Sequence, residues 1–186
     1  MNISDIPHDM TFKFGPNLRE VPLNKMDMLY GMMYLQKQLN DKTLDKHEKG
    51  KLHGLLGTFL RIVGELEESK RHLNMAIDIF RELDRKQSVF VNQLRLANTY
   101  QWHNDFETSN QMFDELIEHA ENNSDYIEYR DFAYQHQGKN LFDQEKYREA
   151  LDYFQKALEL RKDNRNSELI HSTETAIETC EKKLNK

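Results

Sequence analysis

From about residue 46 onward the apolar and small positions recur in a pattern of threes and fours broken by wider gaps. Gly57 and Leu60 stand three apart and Leu66 follows six later, after which Ser69, Leu73 and Ala76 continue at steps of three, four and three. Spacing of three and four is one face of an α-helix, and the wider gap is a turn, so this stretch predicts two helices joined as a hairpin. The pattern then repeats, because the chain aligns with itself at steps of 40 and 41. One column of small residues is Gly57, Ala97 and Gly138, and a second is Ser69, Ser109 and Ala150. Four larger columns run beside them: Leu60, Tyr100, Leu141; Leu66, Phe106, Tyr147; Leu73, Phe113, Phe154; and Ala76, Leu116, Ala157. Six columns in fixed order mark a structural repeat in three copies.

The predicted turns have suitable chemistry, with Gly64-Glu65 in the first copy, Asn104-Asp105 in the second and Asp143 to Lys146 in the third. Glycine turns freely, and Asn and Asp cap the helix that follows. The small residue on each helix lets two helix axes approach closely while a Leu, Phe or Tyr fills the groove opposite. The breakers agree with long helices elsewhere. All three prolines (Pro7, Pro16, Pro22) lie in the first 22 residues, and Gly138 is the one glycine after Gly64. Leu occurs 22 times and Val four times, a helical rather than a strand-forming balance.

Residues 1–22 therefore read as an irregular arm and 23–186 as a single helical domain, with repeats at about 46–85, 86–125 and 126–162. Residues 24–41 place Met28, Met32, Leu35 and Leu39 on one stripe, with Asn24 as N-cap, and predict a helix covering the first hairpin. Residues 166–184 carry Leu169, Thr173, Ala176, Ile177 and Cys180 on a narrower stripe and predict a closing helix with a polar outer face. The total is eight helices. Met26, Met28, Met32 and Met33 cluster on the first of them, where they either seal the hairpin or offer an apolar strip for self-association. The arm, with Phe12, Phe14 and Val21 around Gly15-Pro16, either folds back on the domain or reaches a neighbour; periodicity does not decide.

Composition narrows the chemistry. With 26 Lys+Arg against 32 Asp+Glu, the formal net charge is −6, which disfavours a nucleic-acid partner needing a concentrated basic face. No window approaches the roughly 18 apolar residues of a membrane helix, and Met1 to Met10 lacks the pattern of a signal peptide, so the expectation is a cytoplasmic protein without a membrane partner. Usage rich in Lys, Glu and Asn fits a bacterial source. Cys180 alone cannot form an internal disulfide or a multi-thiolate metal site, and packs as a small residue. His47-Glu48 with His53 resembles a zinc-protease helix pattern, but six residues rotate the second imidazole to another face. With no Gly-rich phosphate loop and no nucleophile setting, the chain reads as a non-enzyme that needs neither cofactor nor metal.

The third copy carries a family resemblance. Tyr134-Gln-His-Gln-Gly138-Lys-Asn-Leu141, then Tyr147-Arg-Glu-Ala150-Leu-Asp-Tyr-Phe154-Gln-Lys-Ala157-Leu158, resembles a tetratricopeptide repeat. It departs where Gln137 replaces the usual Leu and Lys162 the usual closing Pro, and the earlier copies match more loosely, with Ser69 and Ser109 in place of Ala. The period exceeds the common ~34 residues. Such extended repeats are similar to those of Rap-type peptide receptors and spindle-orientation adaptors. The resemblance implies an all-α, right-handed superhelical stack of hairpins whose first helices line a concave groove suited to a peptide or protein segment.

Projecting the first helices onto that groove gives Lys51 and Arg61 from the first hairpin, with Leu55, Thr58 and Ile62 beside them. The second gives Leu94, Arg95, Asn98, Gln101 and Trp102, and the third gives Gln135, His136 and Lys139, with Phe132 and Phe142 near. Some of these, Leu94 among them, pack equally well as core. Gly54 and Thr58 occupy the places where chaperone-adaptor repeats grip a terminal carboxylate with Lys and Asn, so that partner class is disfavoured. Three functions follow: a scaffold binding a peptide or protein segment, a peptide-responsive sensor acting through a partner, and a homo-oligomer joined through the Met-rich helix.

Overall fold

A computed structural model describes residues 3–163 and 166–185. Among them the chain forms eight α-helices and one short β-hairpin: β1 (Phe12–Phe14), β2 (Glu20–Pro22), α1 (Lys25–Leu39), α2 (Lys46–Val63), α3 (Leu66–Glu82), α4 (Lys86–Trp102), α5 (Phe106–Asn122), α6 (Arg130–Asp143), α7 (Tyr147–Asp163) and α8 (Ser167–Leu184). This is the expected all-α helical-repeat fold. It falls into two compact units, Met1–His103 and Asn104–Lys186.

In the first unit, Met28, Met32 and Leu35 of α1 pack with Leu52, Leu56 and Phe59 of α2. Asn24 caps α1 by accepting from the amides of Met26 and Asp27, and Asp45 caps α2 by accepting from Glu48. α2 and α3 close over Gly57, where an added Cβ would lie 2.5 Å from Leu73 Cγ. The second unit repeats that closure at Gly138, where a Cβ would lie 2.6 Å from Phe154. Both closures fall in the same sequence column, so the small-residue column is a packing requirement and not a coincidence of composition.

Two further marks recur at the repeat step. Gly64 (φ 94°), Asn104 (φ 61°) and Glu145 (φ 61°) all turn left-handed after a first helix. The turns at Gly64 and Glu145 are closed by the same bond, Glu65 N–H to Leu60 O at 2.9 Å and Lys146 N–H to Leu141 O at 3.0 Å. Ser69 Oγ donates to Gly57 O (2.7 Å) and lies 3.0 Å from Thr99 Oγ1, while Ser109 Oγ donates to Asn140 Oδ1 (2.8 Å). The second-helix serine thus bonds to the following first helix in both units, which explains why Ser replaces Ala there.

Two segments differ from a bare helix pattern. A 3-10 stretch, Ser124–Tyr129, precedes α6 and shortens it, because Asn123 is extended and its side chain accepts from Asp125 N–H. The N-terminal arm is ordered as a hairpin: Gly15 N–H donates to Arg19 O (2.8 Å) and Leu23 N–H to Thr11 O (3.1 Å). Met10 lies where a side chain on Gly31 of α1 would stand, and Ile6 joins the same core. Apolar periodicity is blind to a segment held by one turn and two anchors.

Candidate functional site

A cluster of polar side chains in the first unit lies on one face of α2 and α4, under β2. Helical steps bring Gly54, Thr58 and Arg61 onto one stripe of α2, and Asn92, Arg95 and Trp102 onto the facing stripe of α4. Gly54 makes room for the pairing, since a Cβ there would lie 2.5 Å from Asn92 Oδ1 and 3.0 Å from an Arg95 guanidinium nitrogen. Arg61 is only 4% exposed and meets Glu20 of β2 in a two-pronged pair, at 2.9 Å and 3.3 Å. Its guanidinium lies 4.6 Å from the centre of the Trp102 ring, and that of Arg19 lies 5.3 Å from it. Arg19 also donates to the Trp102 carbonyl at 3.5 Å. Guanidinium groups over an indole face are held by the ring quadrupole and are a common element of recognition surfaces.

Arg95 is the exception in this cluster. Its guanidinium makes one hydrogen bond, to Asn92 Oδ1 at 3.3 Å, and no ion pair with a carboxylate among the described residues. Loss of water, with the neighbouring Arg61 charge adding to it, holds Arg95 down to about 10. Arg61 keeps an unfilled donor as well, since its buried Nε has no acceptor. Of these two guanidiniums only Arg61 is paired with a carboxylate, and the face retains donor capacity for a further acceptor.

The other sequence-predicted residues are placed as follows. Lys51 is partly exposed near the start of α2 and pairs with Glu48 at 2.7 Å, holding that carboxyl down to about 2. Leu94 and Gln101 are buried within the packing of α4, and Asn98 is buried with its amide donating to Leu94 O (2.8 Å). Gln135, His136 and Lys139 lie on α6 in the second unit. Gln135 is 3% exposed and neither end of its amide has a partner among the described residues, whereas Lys139 is buried and His136 half-buried. Arg19 and Glu20 escaped the sequence projection, which considered helices only; the signal available was a charged dipeptide set between the turn at Pro16 and the aliphatic Val21-Pro22.

The second unit also holds a buried network that sequence spacing missed. Arg161 donates through Nε to Asp131 (2.8 Å) and through a terminal nitrogen to Thr173 Oγ1 (2.6 Å) and Leu169 O (3.2 Å), tying α6, α7 and α8 together. A cleft of about 500 Å³ opens beside it, lined by Ile127, Arg130, Asp131 and Leu160 among others. Elsewhere, His53 and His72 meet through Nδ1 atoms at 2.8 Å, and burial lowers both, His53 to about 4. Burial raises the Cys180 thiol to about 11. Among the described residues no group of three or more His, Cys, Asp or Glu is placed to hold a metal, and no helix is long and apolar enough to cross a membrane.

Comparison with known proteins agrees with this architecture. The profile of the tetratricopeptide repeat family matches residues 131–164, which span α6 and α7. Among solved structures, the apo form of RapI is similar at TM-score 0.65 and 16% identity over 87% of this chain and 45% of RapI, so the chain spans less than half of that protein. The kinesin-light-chain TPR-like repeats of Podosopora anserina are similar at TM-score 0.59 and 13% identity, over 86% of this chain and 80% of that one. No curated protein sequence matches the chain. At these identities the likeness is one of fold. With a match to the tetratricopeptide repeat at 131–164 and the same closure and turn geometry in the hairpin at α2 and α3, the chain has an all-α helical-repeat fold similar to that of tetratricopeptide-repeat proteins.

Proposed function

We propose that the chain is a non-enzymatic, cytoplasmic scaffold that binds a peptide or protein segment on the α2–α4 face, through Arg61, Arg95, Asn98 and Trp102. The observation that carries this reading is Arg95, a largely desolvated cation with no acidic partner among the described residues. A charge kept in that state costs stability, and a bound acceptor would repay it. Tetratricopeptide-type repeats serve as interaction scaffolds, which supports the class of function and leaves the partner to chemistry. The α6 residues Gln135, His136 and Lys139 form a candidate second patch, and the unpartnered Gln135 amide is suited to a backbone peptide group. The test is isothermal titration of the full chain against peptides selected from an array. Arg95→Glu should weaken them at least tenfold; equal binding by wild type and Arg95→Glu removes this face from the account.

A second reading is favoured by α1. Met28 and Met32 face the core, whereas Met26, Tyr30 and Met33 form an exposed strip, Met33 at 62%. That strip supports self-association. Light scattering across a hundredfold concentration range tests it, and a strict monomer eliminates it.

A further inference from the structure

The arm bears on what the α2–α4 face accepts. β2 presents one acidic side chain to it, Glu20, and that carboxylate fills one guanidinium of a pair. The side chains of Arg61 and Glu20 are 5% and 10% exposed, so the contact is sheltered from water and salt. The rest of the hairpin is lightly held. Phe12, Lys13 and Phe14 of β1 are all exposed, and Leu18 is the buried side chain of the turn. The apolar anchor of the arm, Ile6 and Met10 against α1, lies on the far side of residue 11. Residues 11–23 are therefore a loop fixed at both ends and pinned in the middle by Glu20 to Arg61 and by Arg19 to Trp102.

We propose that this loop is a removable strap, and that Glu20 occupies the place of a carboxylate delivered by an acidic, extended segment of a partner protein. The partner's acid takes Arg61 from Glu20, and a second acceptor on the same segment satisfies Arg95. The inference rests on the reading of the α2–α4 face as a binding surface. Charge complementarity selects the occupant: a second cation without a counter-ion beside an arginine already gripping a carboxylate favours an acidic segment over a neutral or basic one. Because the strap competes from within the chain, the free protein binds more weakly than its face would alone, by the fraction of time the face is open.

The probe is a fluorescein-labelled peptide with the sequence of residues 11–23 made acidic by Lys13→Glu and Arg19→Glu, and its twin carrying Gln at the position of Glu20. Anisotropy is followed with full-length wild type, Glu20→Gln and Glu20→Gln/Arg95→Gln. The expected result is binding to Glu20→Gln at least tenfold tighter than to wild type, a loss of at least tenfold for the Gln twin, and a similar loss for the double variant. Should Glu20→Gln fold poorly, hydrogen exchange on wild type carries the test, with the amides of Gly15, Leu18 and Leu23 losing protection as peptide is added. Equal affinity for wild type and Glu20→Gln, or arm amides that stay protected at saturation, overturns the strap while leaving array-selected, Arg95-dependent binding intact. Equal binding of the two peptides, or none up to millimolar concentration, overturns the choice of an acidic ligand.

Discussion

Replacing Arg95 with methionine should make the protein more stable, which is unusual for a largely buried arginine. Its guanidinium is held down to about 10 from an ordinary 12.5. At ~1.36 kcal/mol for each pH unit, that difference corresponds to about 3 kcal/mol of disfavour for the charged form. Arg95 is not sealed from solvent, so screening reduces the recoverable part to about 1–2 kcal/mol. Methionine keeps the length of the arginine's aliphatic stem and surrenders one long hydrogen bond to Asn92, which costs at most ~1 kcal/mol. For a chain of this size the net gain raises Tm by roughly 2–4 °C. Urea unfolding should show a higher midpoint with an unchanged slope. Arg61→Met supplies the opposite sign: it strands the Glu20 carboxylate and should lower stability by about 1–3 kcal/mol. A fall in Tm for Arg95→Met comparable with that for Arg61→Met would refute the reasoning, because it would mean that Arg95 has a counter-ion after all.

Three further outcomes follow from the same geometry. Gly138→Ala puts a methyl 2.6 Å from Phe154 and should destabilise by about 1–2 kcal/mol despite the better helix propensity of alanine, read by urea denaturation. Stability should also fall as pH drops from about 6.5 towards 4. His53 and His72 bind protons less readily folded than unfolded, so their contribution is complete above the unfolded value and lost below it, by about 1–2 kcal/mol at pH 5. Arg71 beside them opposes protonation and Glu68 beside His72 favours it, while the depressed carboxylates, Glu48 at about 2 among them, lose their contribution lower on the scale. His53→Gln should flatten the slope between pH 6.5 and 5; an unchanged slope contradicts the assignment. Cys180, buried with its thiol raised to about 11 and donating to Tyr147 O, should react with a thiol reagent at the rate of global unfolding.

The repeat was legible because its marks are steric. Gly57 and Gly138 cannot carry a side chain against Leu73 and Phe154, and the left-handed turns recur at Gly64, Asn104 and Glu145, so spacing alone locates both. Caps at Asn24 and Asp105 were legible for the same local reason. The candidate site was legible by halves. Facing steps on α2 and α4 bring Arg61, Arg95 and Trp102 into view, but Leu94 and Gln101 are absorbed by packing that a helical projection cannot weigh. Glu20 and Arg19 had no periodicity to betray them, since their places depend on a turn at Gly15 to Arg19 and on anchors outside the hairpin. The Arg161–Asp131 pair was hidden because its partners stand 30 residues apart and on no shared column.

Trp102 is the single tryptophan of the chain, and its ring lies within 5.3 Å of two guanidiniums on the proposed face, so its fluorescence reports that face directly. A peptide that binds there moves Arg19 and Arg61 relative to the indole. Titration with an array-selected peptide should change Trp102 emission saturably, with the dissociation constant found by calorimetry, and Arg95→Glu should shift both together. Calorimetric saturation with unaltered Trp102 emission, or with an affinity that Arg95→Glu leaves untouched, would place the binding elsewhere and contradict the account.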